Sequence, residues 1–238
     1  MRYFIVCFFL SLFIFSCDNT SKITLTKLEG SPVYENAKLE IDTITLKEKE
    51  YSFKFNVLDY NLGEQTEKEF SFDLANSVKG QHIHFIVNNG PYSAFYTSDF
   101  NKKLEENNNV ILAFLSRSYH ESVKNPNAFF LTQIGEGEKI DLTKEFLFYS
   151  RPKGVYKGKD TEKLLLDFYL VNTNISSSGN KVKVTIQDVE FVIDEWAPYY
   201  IEGLPKGEIS IKLELIDEMG EPIENPFNPS QRTVLLED

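Results

Sequence analysis

Residues 208–217, EISIKLELID, alternate apolar and polar side chains without a break. Ile209, Ile211, Leu213 and Leu215 therefore fall on one side of an extended chain. Residues 182–187, VKVTIQ, do the same. A period of two is the pattern of a half-buried antiparallel strand, because successive strand side chains point to opposite faces. Turn chemistry separates such segments at Asn88-Asn89-Gly90-Pro91, Pro205-Lys206-Gly207, Glu218-Met219-Gly220 and Asn225-Pro226. Beyond the N-terminal segment no stretch has a helical period. The 12 Tyr and 20 Phe suit pleated, half-buried surfaces. The chain reads as all-β, with short strands packed as a sandwich.

The chain also resembles itself. Sliding it by 100 residues lays 82–126 on 182–226, with Asn125-Pro126 on Asn225-Pro226 and Leu104, Ile111 and Leu115 on Leu204, Ile211 and Leu215. Upstream the offset becomes 113, laying 54–63 on 167–176, so the first copy holds about 13 extra residues near 65–78. The alternative is two generic β stretches with equal spacing. A repeat predicts two tandem β-sandwich domains, immunoglobulin-like or cupredoxin-like, over 37–139 and 152–238. Residues 140–151 would be a linker holding one strand.

The offset further predicts faces. His82, His84 and Ile86 take the places of Val182, Val184 and Ile186, which point into a core. Ile83, Phe85 and Val87, with Val110, Leu112 and Phe114, would then point outward. An apolar second face of that size needs a cover. Residues 64–78 or the second domain are expected to supply it; left bare, it would dock a protein partner.

Residues 1–16 read MRYFIVCFFLSLFIFS. Arg2 precedes an apolar run of 13 residues broken only by Ser11. A membrane-spanning helix needs about 20 residues, whereas this length suits a secretory signal peptide. Ile14-Phe15-Ser16-Cys17 is similar to the lipobox of bacterial lipoproteins. The expectation is a mature chain that starts at a lipidated Cys17, with 17–36 as a polar tether. Acyl chains on Cys17 would anchor it in a membrane, each buried CH₂ adding about 0.8 kcal/mol. Cys7 would leave with the signal, so no disulfide forms within one mature chain. The implied location is the Gram-negative cell envelope, with the outer membrane as the favoured site. A net charge of −11 excludes nucleic acid as a partner, since phosphate backbones need a basic surplus.

The three His of the chain, His82, His84 and His120, all lie in the first copy. His82 and His84 share a strand face, about 7 Å apart along the chain. Three imidazoles are a ligand set for zinc or copper, so either metal is the implied cofactor. Glu121 and Asp99 are candidate fourth ligands, and Tyr92, Tyr96 and Tyr119 candidate outer partners. Against this, a buried His commonly just bonds a carbonyl or a Tyr. Alternation also gives His120 the parity of outward residues, away from the pair. Arg117, Arg151 and Lys153 are candidates for binding a small anion, with a pair to Glu121 as the other reading of Arg117. The basic run Arg151, Lys153, Lys157, Lys159 and Lys163 is a candidate surface for lipid headgroups or a phosphorylated ligand. Trp196, Tyr199 and Tyr200 would form either a ligand platform or domain-junction packing.

Ser116 to Ser122, SRSYHES, holds the residue types of a hydrolase triad. Neighbours on a strand point to opposite faces, and no GxSxG elbow is present, so the chain is expected not to be an enzyme.

The segments QHIHFIVNNGPYSAFY, ILAFLSRSYHESVKNP, FYSRPKGVYKGKDTEKLLLDFYLVN and WAPYYIEGLPKGEISIKLELID are similar to a family of uncharacterised Gram-negative envelope lipoproteins, some labelled "phosphopeptide-binding protein". The HIH…SRSYHES half also resembles small β-sandwich modules near copper-handling and cupredoxin-like proteins. The label implies a forkhead-associated-like β sandwich that binds phosphopeptide through a Ser-x-x-His motif. SYHES lacks that spacing. Together these readings imply a binding module for a metal or small anion; the alternative is a scaffolding or phosphopeptide-binding lipoprotein without a metal.

Overall fold

The computed structural model describes residues 22–105 and 107–238. The expected signal peptide, residues 1–16, and the expected lipidation site Cys17 lie outside the described residues. Within them no helix is long and apolar enough to cross a membrane. Strands are numbered in chain order.

The alternating segments form the strands. In the N-terminal sandwich, β2 (Lys38–Lys47), β3 (Glu50–Leu58) and β6 (Asp99–Lys102) make one antiparallel sheet. It faces a second sheet ordered β5 (Ser93–Phe95), β4 (His82–Val87), β7 (Asn109–Ser116), β8 (Phe129–Ile134). In the C-terminal sandwich, one sheet runs β1 (Thr24–Lys27), β14 (Tyr199–Glu202), β11 (Leu164–Val171), β9 (Phe146–Arg151). The other runs β10 (Val155–Lys157), β16 (Ser230–Glu237), β15 (Gly207–Ile216), β12 (Lys181–Ile186), β13 (Val189–Ile193).

These four sheets stack into one pile with three apolar layers. Phe53, Phe55, Ile83, Phe85, Ile111 and Leu115 fill the first sandwich. Leu166, Phe168, Val182, Val184, Ile211 and Leu213 fill the second. Between the sandwiches, Ile86, Val110, Leu112 and Phe114 meet Phe146, Phe148, Tyr169 and Val171. Fully burying such side chains stabilises by roughly 1.5–3 kcal/mol each. The apolar second face is therefore covered by the other half of the same chain, and no partner is needed there. Phe114 stacks on Tyr169 at 4.7 Å between centroids, and Trp196 meets Tyr169 edge-on at 5.1 Å. Trp196 Nε1 donates to the Phe168 carbonyl, so it is junction packing and not an open platform.

Polar clamps hold the seam as well. The Asp167 carboxylate is fully buried on β11 and accepts from Lys124 Nζ at 2.6 Å and Ser122 Oγ at 2.8 Å, both in the first sandwich. Arg232 on β16 donates to the carbonyls of Asn89 and Gly90, and to those of Tyr149 and Ser150.

Three expectations need correction. The tether contains β1, which pairs with β14 from Thr24↔Glu202 to Lys27↔Tyr199, so this polar segment is tied into the far sandwich. The one strand expected within 140–151 is β9, and by pairing with β11 it belongs to the second sandwich, which therefore starts before residue 152. The faces of β4 are the reverse of those expected. Leu115 pairs with Ile83, whereas its counterpart Leu215 pairs with Val182. The first copy thus has one residue fewer between these paired positions, and the true offset at β4 is 99. A one-residue slip moves every side chain to the opposite face. Ile83 and Phe85 enter the core, while His82, His84 and Ile86 turn to the seam.

The extra segment of the first copy forms no strand. Its Phe70, Phe72 and Leu74 lap onto Leu28, Tyr119, Leu165 and Tyr200, adding a small apolar patch across both halves.

Candidate metal centre

Because β4 shows its His face to the seam, His82 and His84 lie under the second sandwich, both at 0 % exposure. His120 arrives from a different direction. It sits in the turn after β7, where Arg117 N–H donates to Glu121 O and His120 N–H to Arg117 O. Its φ of 70° bends the turn so that the ring swings over β4. His120 lies beyond the end of β7, so the turn and not strand parity brings it to the pair.

The coordinating atoms converge. His84 Nε2 lies 2.9 Å from His82 Nε2, and His120 Nδ1 lies 3.1 Å from the same atom. All three ligand atoms are within 4.8 Å of one another, and no other His, Cys, Asp or Glu among the described residues joins them. His82 Nδ1 donates to the Gly80 carbonyl at 2.8 Å, which leaves Nε2 with its lone pair toward the cluster. His84 Nδ1 is 3.2 Å from Ser150 Oγ, a group that donates or accepts by rotating its hydroxyl.

The second sandwich shapes this half of the site through a β-bulge. Asp167 pairs with Arg151 but Phe168 pairs with Tyr149, so Ser150 is the extra residue on β9. A bulge re-aims the side chains that follow it. Ser150 Oγ reaches His84 here, and the Arg151 guanidinium lies 5.4 Å from the Tyr92 ring. Tyr92 stacks on His84 at 3.5 Å between centroids, and its hydroxyl is 3.1 Å from His120 Nδ1. Tyr96 packs on His82 at 5.0 Å.

Electrostatics keep the rings neutral. Burial pushes His82 down to about 4, with Arg151 and Lys153 adding to the effect and the Gly80 hydrogen bond opposing it. Burial also holds His84 well below the ordinary range, reinforced by the other two imidazoles. His120 is depressed by burial first and then by Arg151. Neutral imidazole is the form that binds a metal.

Other candidates fall elsewhere. Glu121 is no fourth ligand: its carboxylate takes an ion pair from Arg117 Nη1 at 2.9 Å and a hydrogen bond from Ser31. Asp99 stands on β6, in the sheet beyond the first core. Arg117 is buried and engaged by Glu121 and by the Ser122 and Pro32 carbonyls, which fits the ion-pair reading, and its Nε finds no hydrogen-bond partner. The basic run does not form one surface. Arg151 is buried, Lys153 is half-buried over Tyr92, Lys157 pairs with Glu237 and Lys163 with Glu202. The part that sequence reasoning missed is Ser150 and the β9 bulge, for which the local sequence carries no signal.

No protein-family model and no curated protein sequence matches the chain. Among solved structures it is similar to the fibronectin(III)-like modules of Clostridium thermocellum CbhA, at 11% identity and a TM-score of 0.31, covering 91% of this chain and 94% of that one. It is similar to the central fibronectin-III array of RIM-binding protein, at 10% identity and a TM-score of 0.28, covering 87% and 71%. A third likeness is the Bacteroides ovatus glucan-locus protein SGBP-B bound to a mixed-linkage heptasaccharide, at 11% identity and a TM-score of 0.22, covering 90% and 70%. No function passes from these proteins to this chain.

Proposed function

We propose that the chain is a non-enzymatic, lipid-anchored binding module of the bacterial envelope, and that it holds a copper or zinc ion through His82 Nε2, His84 Nε2 and His120 Nδ1. One observation carries the reading. Two ring nitrogens, His84 Nε2 and His120 Nδ1, crowd onto His82 Nε2 at 2.9 and 3.1 Å, yet the Gly80 bond makes that atom an acceptor with one in-plane lone pair. It can take a proton from one neighbour only, and the third nitrogen is left facing a lone pair. A single cation accepts all three lone pairs at once. Ligand nitrogens about 2.0–2.1 Å from an ion stand roughly 3.3 Å apart in a tetrahedron, so an ion widens the two contacts to His82 Nε2 by a few tenths of an ångström and brings the third pair, now within 4.8 Å, to the same spacing. The outer nitrogens of His82 and His84 already have the acceptors that fix a ligating ring.

The test is calorimetric titration of Zn²⁺ and Cu²⁺ into the purified protein, beside a His82→Ala/His84→Ala variant whose fold is checked by circular dichroism. One ion per chain, lost in the folded variant, supports the reading. A folded wild type that binds neither ion overturns it.

A further inference from the structure

Charge is the unsolved part of this site. A divalent ion on three neutral imidazoles would bring two positive charges into the seam. Arg151 and Lys153 are already there, and both act on all three rings. Among the described residues neither has a carboxylate partner. Arg151 is 8 % exposed, gives Nη1 to the Tyr156 hydroxyl, and its Nε finds no hydrogen-bond partner. Lys153 Nζ rests 3.8 Å from the Tyr92 ring centroid and donates to the Tyr92 carbonyl. Uncompensated buried cations are costly, and a further dication beside them more so.

Tyr92 touches every part of this problem. Its ring stacks on His84 at 3.5 Å, so Lys153 must sit on the opposite face. Its hydroxyl points at the cluster, 3.1 Å from His120 Nδ1, a spacing close to that of two ligands on one ion. No Asp or Glu of the described residues joins the three His. The Tyr92 phenol does bring an oxygen to one of the clustered nitrogens, His120 Nδ1.

We propose that Tyr92 is the fourth ligand, binding the metal as a phenolate whose charge answers Arg151 and Lys153. The inference rests on the three-His metal reading. In the binding step the Tyr92 O–H bond breaks, the proton leaves to solvent, and an oxygen–metal bond forms; nothing is oxidised or reduced. The site then carries one negative ligand among two fixed cations and the ion. Stacking on His84 keeps the phenol beside the cluster, and because a stacked ring holds its oxygen out of the imidazole plane in which the ion lies, the phenol tilts off His84 to make the bond.

Cu(II) is the probe, because a phenolate bound to Cu(II) gives a ligand-to-metal charge-transfer band in the visible that imidazole alone does not. The full chain titrated with CuSO₄ at pH 7.5 should develop this band to saturation at one ion per chain. Tyr92→Phe keeps the stacked ring and should bind Cu(II) at least tenfold more weakly, with the visible charge-transfer band gone and the weaker d–d absorption kept. Tyr96→Phe, on the neighbouring ring, should leave the band unchanged. If the wild type binds Cu(II) without the band, or if Tyr92→Phe keeps it, the phenolate assignment is wrong while the three-His site stands. If the wild type binds no Cu(II), the metal reading itself fails and this assignment with it.

Discussion

His120 and Gly220 occupy the same position in two equivalent turns, and both hold the left-handed backbone, at φ 70° and 89°. Each donates its N–H three residues back, to Arg117 O at 2.9 Å and to Asp217 O at 3.1 Å. The second copy fills the position with the residue that has no Cβ. The first copy places a side chain there at a cost of about 1 kcal/mol. What that strain supports is the direction of the imidazole, which the turn delivers to His82 at 3.1 Å.

His120→Gly should separate the ring from the turn. Glycine takes this φ without strain, so stability should stay within about 1 kcal/mol of the parent. Metal affinity should fall by about 100-fold or more, since one of three protein nitrogens is gone. Denaturant melts and zinc titration on the same preparation check both; a folded variant with parental affinity would remove His120 from the site.

The depressed imidazoles set a pH dependence for the metal-free protein. The folded state holds His82 near 4, whereas in the unfolded chain it returns to about 6.5. Below 6.5 the unfolded chain therefore binds the extra proton, and stability falls as the pH drops toward 4. His82 accounts for about 3 kcal/mol across that window, and His84 and His120 act in the same direction. Urea unfolding at pH 7.5, 6 and 5 should show a declining midpoint. A flat profile would mean that the rings titrate in the fold as they do in the unfolded chain.

Ser150→Ala tests the bulge. The hydroxyl is the partner of His84 Nδ1 at 3.2 Å, and its loss leaves the ring without an orienting acceptor. Removing such outer partners costs roughly 10- to 100-fold in metal affinity. Affinity unchanged in the alanine variant would show that stacking on Tyr92 alone orients His84.

Asp167→Ala should strike the seam rather than the site. It strands Lys124 and leaves Ser122 Oγ and its N–H without their acceptor. Breaking a buried pair on one side costs about 3 kcal/mol or more. Thermal unfolding followed by Trp196 fluorescence reads this directly, because that indole packs on Tyr169 at the same junction. A loss below about 1 kcal/mol would place the cohesion in the apolar layer alone.

Cys17→Ser should abolish acylation and move the protein from the membrane to the soluble fraction. Labelled palmitate incorporation and fractionation of whole cells read the two effects. Continued labelling of the Cys17→Ser variant would put the anchor elsewhere.

Much of the architecture was legible in residues 182–187 and 208–217, because alternation records that one side of a strand is wet and the other dry. Apolar residues on both sides of β4 and β7 likewise required a cover on two faces, and the chain supplies it with Phe146, Phe148 and Tyr169. The direction of the histidines was not legible. Parity depends on register, and the one-residue difference between Ile83↔Leu115 and Val182↔Leu215 lies in loops where the repeat has no pattern to align. Nor could local sequence place Ser150, Arg151 and Lys153 beside His84, since β9 reaches β4 only when two sandwiches stack. The period of two determined strands and cores because burial acts on each residue separately. The cluster of His82, His84, His120 and Tyr92 was decided by the packed sheets, because it exists only where side chains distant in sequence share one buried, cation-lined volume.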